Sequence, residues 1–146
     1  MLWGGPSRGA LVLPPGGVDE RATLEHIRRL TKRLNESGHR TSWMAVVEDE
    51  VVGMIGHKSP PREDGTVEIG YGIAASRRNR GYATDAVAAV LTAARRNAAL
   101  RAVTAETAEE NLASQRVLIK NGFARSGRRV DAGDGPLFLW RFDLRA

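Results

Sequence analysis

The chain contains no cysteine. Disulfides, thiolate metal sites and a cysteine nucleophile are excluded together, and a reducing cytoplasm is the expected location. No apolar run approaches the roughly 20 residues that a membrane helix requires, so no membrane partner is expected. The glycine- and proline-rich start carries Arg8 and no small-residue cleavage site, so it is not read as a signal peptide. Aromatic residues make up only 5% of the sequence, which leaves little for stacking nucleic-acid bases. The net charge of +5 comes from basic residues spread along the chain. We read it as a soluble surface that also attracts an anionic ligand, not as a nucleic-acid patch. No His-x-x-x-His pair or clustered carboxylate set appears, so no metal is expected. The turn with Asp131 and Asp134 has too few ligands for a calcium loop.

What is present is one domain's worth of ordinary globular sequence: 146 residues, 42% hydrophobic and 27% charged. Residues 1–146 are read as a single domain. Residues 10–13 form a short apolar first strand stopped by Pro14-Pro15-Gly16-Gly17, and Asp19 caps a helix to about Asn35. Residues 43–47 and 51–55 read as a hairpin across Glu48-Asp49-Glu50. Residues 66–73 are the clearest strand, with Val67, Ile69, Tyr71 and Ile73 on one face and Glu68, Gly70 and Gly72 on the other. Two glycines on one face suit close approach of a ligand; a bulge or twisted edge is the other reading. A helix over 80–97, a strand over 101–106 and a helix over 111–121 follow, the last with Asn111 as N-cap and Gly122 past its end. Strands over 123–129 and 137–144 close the chain. The order predicts a mixed α/β domain on one twisted, mostly antiparallel sheet flanked by helices.

Between the strand ending at Ile73 and the next helix lies Ser76-Arg77-Arg78-Asn79-Arg80-Gly81-Tyr82-Ala83-Thr84. The first N–H groups of a helix have no intrahelical partner, and the helix dipole adds positive charge there. Gly81 and Ala83 are small enough to let a phosphate reach the backbone, and three arginines surround it. A P-loop would need Gly-Lys-Ser/Thr, and a dinucleotide fingerprint three spaced glycines; neither is present. Local sequence alone also fits a solvated basic turn.

The wider pattern resembles the GNAT superfamily of N-acetyltransferases. Arg78-Asn79-Arg80-Gly81-Tyr82-Ala83 is similar to its Gln/Arg-x-x-Gly-x-Gly/Ala signature, and Glu68-Ile69-Gly70-Tyr71-Gly72-Ile73 to its fourth strand. Asn111-Leu112-Ala113-Ser114, Val117-Leu118 and Asn121-Gly122-Phe123 resemble the branch containing the ribosomal-protein N-terminal acetyltransferases, the Rim type. The resemblance covers roughly residues 43–144 and implies a sheet splayed open between its fourth and fifth strands, with acetyl-CoA as cosubstrate in the split. Pantetheine is then expected beside Ile73 and Ala75. Pyrophosphate is expected on Arg78, Asn79, Arg80, Gly81, Tyr82, Ala83 and Thr84, with Asn111 and Ser114 near the pantetheine arm and thioester.

The implied reaction moves an acetyl group from the thioester to a primary amine, on a small molecule or a protein N-terminus. It needs a donor for the oxyanion and a route for the amine proton. Glu68, on the glycine side of its strand and at a position used as base elsewhere in the superfamily, is the expected base, directly or through water. A strand carboxylate paired with an arginine is the other reading. Glu106 is second and His57 third; His26 and His39 have no role. Many members carry a tyrosine where Leu118 stands, as acid for the leaving thiolate. Leucine cannot donate, so Ser114 or a water helps, or the thiolate leaves unassisted. The alternative function is a non-catalytic acetyl-CoA-binding sensor or interaction module. Oligomeric state stays open, since C-terminal strands of such folds can form a homodimer.

Overall fold

Glu48 and Asp49 both adopt left-handed backbone, with φ of 49° and 64°, and reverse the chain between strands β2 (Ser42–Val47) and β3 (Glu50–His57). Such a two-residue turn matches the twist of the flanking strands. The structure is a computed structural model that describes residues 2–3, 11–17 and 42–145. Strand β1 is Leu2–Trp3, β4 Thr66–Ile73, β5 Ala102–Ala108, β6 Ala124–Asp131 and β7 Gly135–Asp143. Helix α1 spans Tyr82–Arg95 and α2 spans Leu112–Lys120.

The strands form one sheet in the order β1-β2-β3-β4-β5-β7-β6. Among the described residues only the β4–β5 strand pair is parallel, because α1 carries the chain back across the sheet between them. This is the mixed, mostly antiparallel α/β fold that the element order predicts. Residues 10–13 were expected to form the first strand. Among the described residues, Val12 instead makes a lone parallel bridge to Glu50. The following prolines have no amide to extend a ladder. The helix expected at 19–35 lies outside the described residues, apart from its flanking turn.

The core lies between the sheet and the two helices. Val67 and Ile69 of β4, Val103 and Ala105 of β5 and Trp140 of β7 meet Val87, Val90 and Leu91 of α1 and Leu118 of α2, all buried. Trp140 keeps its indole N–H satisfied inside by donating to Thr107 Oγ1 at 2.9 Å. Truncating Val87, which is fully buried, to alanine would cost about 2 kcal/mol or more through lost burial and a cavity. Helix α2 closes as its sequence predicts. Gly122, at φ 90°, lets the Phe123 N–H reach the Leu118 carbonyl and its own N–H reach Ile119.

One feature of the sheet makes the site. The parallel ladder joins Thr66 to Ala102, Val67 to Val103 and Glu68 to Thr104, and no further pair follows. Beyond Glu68, β4 continues along β3 as far as Ile73, while β5 continues along β7 as far as Ala108. Each strand is held by its outer neighbour, and a gap opens between them. Lys58 N–H bonds the Glu68 carbonyl and Ala74 N–H bonds the Val52 carbonyl, so even-numbered positions of β4 face β3. By alternation the backbone groups of Ile69, Tyr71 and Ile73 face the gap.

Candidate active site

The helix that follows the gap starts without a cap. Gly81 is its N-cap, at φ 79° and ψ 4°, and makes no side-chain cap to its first turn. The first intrahelical bond runs from Asp85 N to Gly81 O. Among the described residues, no amide from residue 78 to residue 84 donates to a protein acceptor. Helix α2 differs: Asn111 Oδ1 accepts from Ser114 N at 3.1 Å, an ordinary cap. Amides at a helix start with no protein acceptor are suited to bind an anion.

These amides open into a cleft of 730 Å³ that runs from residues 77–84 to Tyr71, Gly72 and Ile73 of β4 and to the α2 flank from Asn111 to Lys120. Among the described residues its lining includes Arg78, Arg80, Arg116 and Lys120 and no carboxylate. The charge around it is sorted by long-range pairing. Arg77 forms a two-pronged pair with Glu50, at 2.6 and 3.1 Å, which holds the Glu50 carboxyl below its usual range. Its charge is therefore balanced, and it does not add to the field as three loop arginines together suggest. Arg78 Nε donates to the Ile73 carbonyl at 3.1 Å and ties the loop to the end of β4. Arg80, Arg116 and Lys120 form no ion pair among the described residues. Asn121 Nδ2 donates to the Thr84 carbonyl at 3.1 Å, which holds the end of α2 against the start of α1.

The expected site residues divide into two groups. Ile73, Arg78, Asn79, Arg80, Gly81, Tyr82, Ala83, Thr84, Asn111 and Ser114 line the one cleft. Ala75 does not; it is exposed in a short turn of 3-10 helix after Ala74. Glu68 is not in the lining either. It is the last residue of β4 paired with β5, at the apex of the split, and its side chain alternates onto the face away from Val67 and Ile69.

Glu68 is only 13% exposed, with Lys58 Nζ 3.1 Å from Oε2 and Arg62 NH2 3.7 Å from Oε1. Oε2 is buried and lacks an aligned hydrogen-bond donor despite the nearby ammonium. The aliphatic stem of Lys58 lies over Gly70, so the bare strip beside Glu68 is covered by a neighbouring side chain. Glu106, on β5, is paired with Arg129 at 2.7 Å. Leu118 is fully buried, so no proton donor stands there. Among the described residues no group of three His, Asp or Glu side chains is arranged to hold a metal.

Three contributors were not expected from the sequence. Arg116 and Lys120 lie four apart on α2 and line the cleft; that spacing puts them on one helix face, a signal present but not used. The third is Tyr71, whose hydroxyl lies 2.8 Å from Ser114 Oγ and 3.2 Å from the Ser114 carbonyl oxygen. Its burial pushes the phenol pKa up, partly offset by the Ser114 hydrogen bond. Alternation shows only that Tyr71 shares a face with core residues, not that it reaches a helix 43 residues away.

The family model for the acetyltransferase (GNAT) domain matches residues 11–124. The chain belongs to the GNAT acetyltransferase family. The uncharacterized N-acetyltransferase YjdG of Bacillus subtilis (strain 168) is 31% identical over 102 residues, which are 68% of this chain and 61% of that protein. The match thus spans less than two thirds of that GNAT relative's length. Among solved GNAT structures, RimL, the ribosomal L7/L12 alpha-N-protein acetyltransferase in complex with coenzyme A, superposes with a TM-score of 0.70 at 20% identity, covering 89% of this chain and 76% of that one. The aminoglycoside acetyltransferase AAC(6')-Ib in complex with coenzyme A superposes with a TM-score of 0.61 at 20% identity, covering 70% and 65%. At these identities the two structures establish the shared fold alone.

Proposed function

We propose that the protein is an acetyl-CoA-dependent N-acetyltransferase, a single domain that transfers the acetyl group to a primary amine of a small molecule or a protein N-terminus. The observation that carries this reading is the run of amides at 78–84 that, among the described residues, have no protein acceptor and open into a cleft lined by cations and no carboxylate. A pyrophosphate brings the acceptors and negative charge that this run lacks. Arg78, Asn79, Arg80, Gly81, Tyr82, Ala83 and Thr84 would hold it, and Arg116 and Lys120 supply further charge for the remaining phosphate. Pantetheine would follow the free edge of β4 past Ile73 toward Ser114, with Asn111 beside it. The amine acceptor is supported by the names of the similar structures, one an aminoglycoside acetyltransferase and one an alpha-N-protein acetyltransferase.

In this reading the residues divide the work across the split. Ser114 in the cleft would donate to the departing sulfur. Glu68, at the apex and on the other face, would take the proton of an amine arriving from that face, directly or through a water. Glu68→Gln is the test. Calorimetry is expected to show coenzyme A binding to wild type and variant alike, while turnover on an amine panel falls about 10²- to 10⁴-fold, the usual worth of a positioned base. No binding heat from folded wild type would overturn the reading.

The ion pairing of Glu68 with Lys58 and Arg62, and of Glu106 with Arg129, favours a second reading. Here the protein is a non-catalytic acetyl-CoA-binding sensor or interaction module. Binding without turnover on any amine would select it.

A further inference from the structure

We propose that Asn121 is a positioning residue: its carboxamide clamps the end of α2 to the start of α1 and so holds the amides of residues 78–84 in the shape that receives a diphosphate. The inference rests on the reading that the diphosphate of acetyl-CoA binds at that loop. Asn121 does not itself line the cleft, so it acts through the residues that it holds.

The side-chain nitrogen of an asparagine carries two hydrogens. Two carbonyls accept from it here, Thr84 at 3.1 Å and Val117 at 3.0 Å. Turning the carboxamide over would set its oxygen against both carbonyl oxygens, so the contacts fix its orientation. Val117 lies in α2, and Thr84 lies 37 residues before Asn121, in the first turn of α1. Both of these residues line the cleft, so one carboxamide ties its two helical walls together. The bonds are partly buried, where a hydrogen bond is stronger than in open water. Helix α2 also carries Arg116 and Lys120 into the cleft, and the clamp sets where those cations stand relative to the loop amides.

The loop needs such a hold. Asn79 and Gly81 both take left-handed backbone, with φ of 64° and 79°, and Gly81 supplies no side-chain cap to define the helix start. The near end of the loop is fixed by Arg77 on Glu50 and by Arg78 Nε on the Ile73 carbonyl. Asn121 fixes the far end. A site held in its binding shape before the ligand arrives loses less conformational freedom on binding. Cutting one anchor moves that ordering cost into the binding step.

Asn121→Ala removes both side-chain bonds. Titration calorimetry on the folded variant is expected to show the Kd for coenzyme A rising about three- to tenfold, the worth of the lost hydrogen bonding. The rise should persist at about 1 M salt, because the clamp carries no charge to be screened. With an amine that the wild type accepts, kcat at saturating acetyl-CoA should stay within about twofold while kcat/KM falls with the affinity, the split expected when only cofactor binding is lost.

An unchanged Kd in folded Asn121→Ala, a rise that salt abolishes, or a kcat that falls as far as kcat/KM would each overturn the proposal. If Asn121→Ala fails to fold, Asn121→Ser is read in the same way, since its hydroxyl can return to the Val117 carbonyl but falls short of Thr84. A folded wild type that binds no coenzyme A overturns the proposed function and this inference together. A wild type that binds it, with an indifferent Asn121→Ala, overturns the inference alone. A wild type that binds it but acetylates no amine selects the sensor reading, and the affinity and salt measurements then decide the role of Asn121.

Discussion

Replacing Gly81 by alanine tests the amide cradle without touching a charge. Gly81 has φ 79°, and a Cβ built on it meets nothing within 4 Å. Steric clash therefore contributes nothing, and the whole cost is the intrinsic one of a left-handed L-residue, about 1–2 kcal/mol. The chain can meet that cost in two ways. If the loop stays left-handed, folding stability falls by the full amount, which for a domain of this size lowers Tm by about 3–8 °C. If the loop relaxes, Tm is spared but the amides of Tyr82, Ala83 and Thr84 lose their common aim. Coenzyme A must then restore the left-handed conformer on binding, and its affinity falls by the same 1–2 kcal/mol, about 5- to 30-fold.

The two losses together should sum to about 1–2 kcal/mol. Differential scanning fluorimetry and titration calorimetry on the same preparation read both. Gly81→Asn, whose side chain tolerates this backbone, should lie between alanine and wild type. An alanine variant with unchanged Tm and unchanged affinity would refute the reasoning, because no third place exists for the strain to appear.

Two further predictions follow from pairing in the structure. Arg116→Ala with Lys120→Ala should weaken coenzyme A binding about tenfold at low salt, and the deficit should shrink near 1 M salt, where screening acts within about 3 Å; a salt-independent deficit would mean lost packing instead. Asp64 accepts from the Thr66 hydroxyl at 2.7 Å and the Thr66 amide at 3.0 Å. Chiefly through the hydroxyl, then the amide, its folded pKa lies below the ordinary 3.8. A depressed carboxyl stabilises the fold fully above the unfolded value and loses that contribution as pH falls through the folded one. The Tm gap between wild type and Asp64→Asn should therefore close below about pH 4; a gap constant down to pH 2 would refute the assignment.

Much of the site was legible because its grammar is local. The N-cap at Asn111, the stop at Gly122 and the helix start at Gly81 each depend on residues within one or two turns, and the structure contains all three. Ala83, expected in the loop, lines the cleft. The three loop arginines looked alike in sequence. Only the return of β3 gives Arg77 a carboxylate, Glu50, 27 residues earlier. For Glu68 the sequence left a base and a strand carboxylate paired with an arginine both open, and only the fold brings Lys58 and Arg62 beside it.

The chain's own periodicities determined the elements from residue 42 onward, the mixed sheet and the helix start at Gly81, because hydrogen-bond alternation and helix capping act over a few residues. Tertiary structure alone decided where β4 parts from β5, which cations remain unpaired, and that Tyr71 meets Ser114. Those outcomes depend on contacts between segments tens of residues apart. Their geometry is set by how the outer strands and the helix packing pull on β4 and β5, and no local pattern encodes that balance.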